Sequence, residues 1–204
     1  MKSLAVLTLL LVCAVPLAAQ DRNIHITVFL SQVDMEGEND LGGFETEFDD
    51  GKALGAAVNL GIGRWFSVEA AAFGIRTEGA LTFEDANIAD LGNFNLTPIT
   101  LGLQFHPLSG RFDPYVGAGG AYVIGDEFFT PDLEFAGVGR IEMENELTYY
   151  LNAGIAVQIT EGFGLVLDGR QIQYEPSTRS SVTGVEQDLD LSPRILSAGL
   201  RLRF

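Results

Sequence analysis

Apolar and polar residues alternate with period two along most of this chain. Over residues 23–32, Ile24, Ile26, Val28 and Leu30 share one face, while His25, Thr27, Phe29 and Ser31 share the other. The pattern returns at 53–62 (Leu54, Ala56, Val58, Leu60, Ile62) and at 66–76, where Val68, Ala70 and Ala72 oppose Glu69, Ala71 and Phe73. At 94–105, Ile99, Leu101, Leu103 and Phe105 lie together. It is clearest at 147–160, where Leu147, Tyr149, Leu151, Ala153, Ile155, Val157 and Ile159 oppose Thr148, Tyr150, Asn152, Gly154, Gln158 and Thr160. Residues 164–174 set Leu165 and Leu167 against Asp168 and Arg170. Residues 191–204 set Leu196, Ala198, Leu200, Leu202 and Phe204 against Ser197, Gly199, Arg201 and Arg203. Such alternation is the signature of a strand with two unlike faces. The Gly-rich segment 114–124 completes a set of eight, and its pattern leaves open which face is outward. Each predicted strand has about the ~9–11 residues that a tilted transmembrane strand requires.

The connections sort by length. Three are short, at Gly63-Arg64-Trp65, at 106–113 and at Glu161-Gly162-Phe163; four are long, at 33–52, 77–93, 125–146 and 175–190. Short turns on one side and long loops on the other are the layout of an outer-membrane barrel. Charge follows the same division, since the four long loops hold 23 of the 28 carboxylates. That keeps charge off the lipid face, where a midplane ion costs ~2–4 kcal/mol. Trp65, Phe66, Phe105, Phe112, Tyr115, Phe163 and Phe204 fall at the short-turn level, and Tyr122, Tyr149 and Tyr174 toward the other end. Two aromatic levels are expected where a barrel meets the headgroups. The expected fold is therefore all-β: an eight-stranded antiparallel transmembrane up-and-down β-barrel over residues 20–204.

The first nineteen residues carry an address. Lys2 supplies a positive start, Leu4–Leu17 an apolar core, and Leu17-Ala18-Ala19 small residues before a cut ahead of Gln20. This is the pattern of a secretory signal peptide, and its apolar run is short for a membrane-spanning helix. Cys13, the only cysteine, leaves with it, so no disulfide framework is expected. The chain has 12 Lys and Arg against 28 Asp and Glu, for a net charge of −16, which argues against nucleic acid as a partner.

Candidate chemistry is sparse. His25 lies on the first strand and His106 at the second short connection, which suggests opposite ends or wide separation, and no nucleophile–base constellation accompanies them. No enzymatic activity and no cofactor are expected. Gly117-Ala118-Gly119-Gly120 lacks the helix and spacing of a phosphate loop, and small residues in a narrow barrel explain it. The acidic runs Glu45, Glu47, Asp49, Asp50 and Glu142, Glu144, Glu146 offer oxygen ligands but not calcium-loop spacing, so no dedicated metal site is assigned. Alternation turns Thr27, Phe29, Glu69, Phe73, Thr100, Asp168, Arg170, Arg201 and Arg203 inward, as a lumen lining. Opposite charges there should pair, since unpaired buried charge is expensive. Eight strands leave little interior space, which excludes a wide diffusion pore.

The ending Leu200-Arg201-Leu202-Arg203-Phe204 resembles the terminal strand of bacterial outer-membrane proteins, whose final Phe is read by the barrel assembly machinery. The run 96–107 (LTPITLGLQFHP), followed by Pro114-Tyr115-Val116-Gly117-Ala118-Gly119, resembles the OmpW family. That resemblance implies an outer-membrane location and a narrow conduit for small hydrophobic molecules, which enter among the loops and leave sideways into the bilayer. Outer-membrane lipid and lipopolysaccharide are the implied surroundings. Two other readings stay open on the residues alone. One is a non-transporting surface or envelope-integrity barrel of the OmpX or OmpA kind. The other is a soluble exported ligand-binding barrel, whose apolar faces would point inward.

Overall fold

The computed structural model describes residues 24–35, 39–40, 45–48, 50–83, 86–108, 110–125, 141–143, 145–180, 186–188 and 191–204. Eight long strands carry the architecture: β1 (Ile24–Met35), β2 (Gly51–Ile62), β3 (Phe66–Phe83), β4 (Ala86–Phe105), β5 (Phe112–Gly125), β6 (Glu146–Gln158), β7 (Phe163–Ile172) and β8 (Pro193–Arg203). Each pairs antiparallel with its neighbour in sequence, and β8 pairs back onto β1 from His25↔Arg203 to Met35↔Pro193, which closes the barrel. Closure leaves no unpaired sheet edge, the condition for strands to cross a bilayer. The expected leader at 1–19, with Cys13, lies outside the described residues, as do Asp49 and Glu144 of the acidic runs.

The faces are those of an inside-out protein. Leu30, Leu54, Leu101, Leu103, Leu147, Leu151, Leu167 and Leu196 are exposed on the outer wall, while Asn59, Glu69, Gln104, Asp168 and Arg170 are buried inside. A soluble ligand-binding barrel requires the opposite arrangement, so that reading is excluded. An outer wall of leucines is stable only against hydrocarbon. On β5, Tyr115, Ala121 and Val123 are buried and Val116, Ala118 and Tyr122 face outward, which settles the face that its glycines obscured.

Three sequence expectations are corrected. Residues 77–93 are not a loop: the β3–β4 ladder runs on, through irregularities at Gly79/Ala80 and Leu81/Thr82, to Phe83↔Ala86. Thr77, Leu81, Thr82 and Phe83 are strand formers, and beyond the bilayer a strand needs no apolar face, so its period-two pattern disappears. Short strands within other long connections follow the same logic. Asn39–Asp40 and Glu45–Phe48 extend the sheet from β3, and Ile141–Met143, Ser177–Ser180 and Glu186–Asp188 form a separate small one. The second correction concerns aromatics. Trp65, Phe66, Phe105, Phe112 and Phe204 face outward at the short-turn level, with Phe105 stacked on Trp65 at 6.4 Å and tilted against Phe66 at 5.5 Å. Tyr115 and Tyr174, assigned to those rings, are instead buried in the interior. The third correction is the position of the histidines, described below.

Inward glycines make room for large rings. A Cβ on Gly55 would collide with the Phe73 ring, one on Gly154 with Tyr115, and one on Gly102 with the Tyr150 hydroxyl. Glycine here is a packing device that fits bulky side chains inside a narrow barrel. Two predictions follow from the wall and its filling. Leu167→Arg, a charge on the lipid face, should lower unfolding free energy by about 2–4 kcal/mol in denaturant titrations of the chain in lipid vesicles. Gly154→Leu should abolish the folded, heat-shiftable band in unboiled gels, because Tyr115 has nowhere to move.

Candidate functional site

The lumen is layered, and the strand register sets the layers. At mid-height an ion cluster spans it. Arg170 on β7 donates through Nη2 to Glu69 Oε1 on β3 at 2.6 Å and through Nη1 to Thr100 Oγ1 on β4 at 2.7 Å. Its Nε lies 3.5 Å from Asp168 Oδ1, an ion pair too long for a direct hydrogen bond. The guanidinium is held between two rings, 4.8 Å from the Tyr150 centroid and 5.0 Å from that of Phe73. Cation–π contact of this kind strengthens as water is excluded. Around this centre, Gln104 donates to Glu69 at 2.7 Å and Asn59 donates to Gln104 at 2.8 Å. Tyr115 and Asn152 both donate to Asp168 Oδ2, at 2.8 and 3.1 Å. Each carboxylate thus meets several donors, as buried charge requires.

Toward the long connections the lining turns apolar. Val33, Ile75, Leu96, Val123, Ile172 and Ile195 are all buried, with Phe29 and Phe73 stacked at 5.8 Å beneath them. Tyr174 and Leu191 cover this layer, joined by the Leu191 N–H donating to the Tyr174 carbonyl at 2.9 Å. Burial, with the Glu146 carboxylate as a lesser cause, pushes the Tyr174 hydroxyl above its ordinary range, so it stays neutral.

The wall beside this apolar layer has a flaw. The β3–β4 ladder runs Ala72↔Ile99 and resumes at Ile75↔Leu96, and the pairs between them, opposite Thr97 and Pro98, are missing. Pro98 has no N–H to give and points inward, buried beside Leu96. On its other side β4 stays paired to β5 through Pro98↔Val123.

Toward the short turns the lining is polar again. Ser67 meets His106 Nε2 at 2.9 Å, His106 Nδ1 meets Asp113 Oδ1 at 2.8 Å, and Arg201 Nη1 reaches Asp113 Oδ2 at 3.4 Å. His25 and His106 lie at this same end and line one cavity of about 180 Å³, contrary to the separation expected from sequence. The reason is topological: the start of an odd strand and the end of an even one meet at the same rim of an antiparallel barrel.

The side chains expected to line the lumen fall at different levels. Thr27, Phe29, Glu69, Phe73, Thr100, Asp168, Arg170 and Arg201 are buried inside; Glu69, Phe73, Thr100, Asp168 and Arg170 come together in one cluster. Arg203 lies at the short-turn mouth and Phe204 is exposed on that rim. Sequence reasoning missed Asn59, Gln104, Asp113 and Tyr115 as members of the polar interior. Asn59 and Gln104 carried a signal, since each is a polar residue on the inward parity of its strand. Pro98 carried one too, as a proline inside a strand that must pair on both edges.

The pattern of the outer membrane protein beta-barrel domain family matches residues 4–204. No curated protein sequence matches the chain. Among solved structures, the outer membrane protein OprG from Pseudomonas aeruginosa superposes with a TM-score of 0.76 at 19% identity, covering 90% of this chain and 96% of OprG. The outer membrane protein AlkL, determined in lipid bilayers, gives 0.61 at 18% identity, with 90% of each chain covered. Outer Membrane Protein W of E. coli gives 0.52 at 16% identity, covering 91% of this chain and 100% of that one. These likenesses are of fold.

The ion cluster makes a quantitative prediction. Glu69→Ala strips Arg170 of its shortest partner and should lower unfolding free energy by about 3–5 kcal/mol, whereas the double replacement Glu69→Met with Arg170→Met should recover most of that loss. Denaturant midpoints of the two variants in the same lipid measure the difference.

Proposed function

This chain belongs to the outer membrane protein beta-barrel domain family, and we propose that it is a narrow conduit that passes small hydrophobic molecules from the cell exterior sideways into the outer membrane. The observation that carries this reading is the gap in the β3–β4 ladder at Pro98, set beside the apolar half of the lumen. A solute enters among the long connections and meets Val33, Ile75, Leu96 and Ile195, where loss of water favours it by about 25 cal/mol per Å² of apolar surface. Side chains of this layer must shift to admit it, and apolar contacts have no direction to lose. The ion cluster beneath does not yield as readily, because opening it leaves Arg170, Glu69 and Asp168 without partners in a dry interior. Onward movement through the floor is therefore disfavoured.

Exit through the wall is the remaining route. Strand separation ordinarily breaks ladder hydrogen bonds that lipid cannot replace. At Phe73–Gly74 opposite Thr97–Pro98 those ladder pairs are already missing, so local parting of β3 and β4 costs less there than elsewhere in the wall. Phe29 and Phe73 guide the solute at the lower boundary of this chamber, and Thr27 and Thr100 border the ionic floor. In this reading the leader is removed near Ala19 and the assembly machinery reads the strand ending in Phe204. Lipid contacts the leucine wall, and the acidic long connections meet lipopolysaccharide through divalent ions.

Uptake of a small apolar fluorescent dye into liposomes carrying the chain tests the reading. The dye should accumulate faster than in protein-free liposomes, and Pro98→Val, which restores a ladder N–H, should slow it several-fold without changing the heat-shifted band. Uptake no faster than the protein-free rate would leave a non-transporting surface barrel as the better reading. Uptake unaffected by Pro98→Val would remove the exit from β3–β4.

A further inference from the structure

We infer that the short-turn mouth of the barrel is a binding site for a phosphate-type oxyanion, a role separate from the conduit. In a chain of net charge −16, the cavity at this rim is lined by three arginines, Arg64, Arg201 and Arg203, and by one carboxylate, Asp113. His25 and His106 face the same space. That concentration of positive charge opposes the trend of the whole sequence, which has 28 Asp and Glu against 12 Lys and Arg.

One donor of this lining, on Arg201, is not used up by the protein. Asp113 is shared, taking His106 on one oxygen at 2.8 Å and Arg201 on the other at a long 3.4 Å. Arg201 is only 5% exposed, yet its Nε has no hydrogen-bond partner. A buried guanidinium N–H without an acceptor is costly, and an oxyanion in the cavity it lines removes the cost. The ladder also sets His25 directly beside Arg203, so two donors from adjacent strands converge on the rim. Arginine forks match the geometry of phosphate oxygens, and closely spaced positive groups suit a doubly charged anion better than chloride. A volume of about 180 Å³, roughly six waters at ~30 Å³ each, admits a phosphate group and its hydration but not a nucleotide or an acyl tail. The same chemistry is offered by free phosphate in the periplasm and by the headgroup of an anionic phospholipid.

Titration of the detergent-solubilised chain with inorganic phosphate, followed by phosphorus NMR at low chloride, tests the site. A parallel titration uses short-chain phosphatidylglycerol below its micelle concentration. One saturable site for either probe is expected. Arg203→Gln, at an exposed position on the rim, should weaken binding about tenfold while leaving the heat-shifted band unchanged. Lys52→Gln, which removes the same charge at the opposite end, should leave affinity unchanged. Saturation by inorganic phosphate identifies free anion as a ligand; saturation by the lipid alone identifies the headgroup. No saturable binding of either probe overturns the inference, as does equal weakening by Arg203→Gln and Lys52→Gln, which would reduce the effect to net charge.

Discussion

A single buried guanidinium organises this barrel. The Arg170 side chain is inaccessible to solvent, and the middle layer of the lumen is arranged around it. Glu69 and Thr100 take its terminal nitrogens, Asp168 flanks its Nε, and Tyr150 and Phe73 cover its faces. Those partners come from four different strands, β3, β4, β6 and β7, so the cluster fixes strand register across half the circumference. A one-residue slip of β3 or β7 would turn a charged side chain toward lipid, and a slip of β4 or β6 would turn out the inward polar residues Thr100 and Gln104 or Tyr150 and Asn152. The cluster therefore specifies the closed barrel as well as blocking it.

The same constraint divides the lumen into regions with different chemistry. Above the cluster the lining is mostly apolar, covered by Tyr174 and Leu191, which a backbone hydrogen bond joins. Below it the lining is polar, with Arg64, Arg201 and Arg203 supplying positive charge around one small cavity. In the proposed conduit the middle layer bars water and ions in both directions, which leaves an apolar molecule the wall, where Pro98 interrupts the β3–β4 ladder. A floor that resists passage and a seam that favours parting are complementary in that reading: either alone would give a plugged barrel or a defect, and together they support a lateral route.

Much of this architecture was legible in the chain because a barrel in lipid writes both its faces into the sequence. Leu147, Tyr149 and Leu151 opposite Tyr150 and Asn152 gave the strand and its two sides, and the inward parity of Glu69, Asp168 and Arg170 gave the ion cluster's members. Legibility ended where the lipid does. Residues 77–83 and 86–93 form strand beyond the bilayer, where no hydrocarbon enforces alternation, and so read as loop. Tyr115 was assigned to the outer ring because its level was visible but its facing was not; in the Gly-rich β5, both neighbours of the pattern are small. His25 and His106 were separated because distance along an antiparallel chain conceals a shared rim. The Pro98 gap was visible as a residue type, but its consequence depends on which partner strand it faces, and that is a property of the register.

In the proposed conduit, the ion cluster closes the lumen to passage along its axis while apolar solutes move by another route. Current across a planar lipid bilayer containing the purified chain tests this most directly. The account predicts no stable ohmic current from the intact chain under conditions where apolar dye still crosses into its liposomes. A steady open-channel current, undiminished by a voltage of either sign, would contradict it, for it would mean that water and ions pass the level of Arg170.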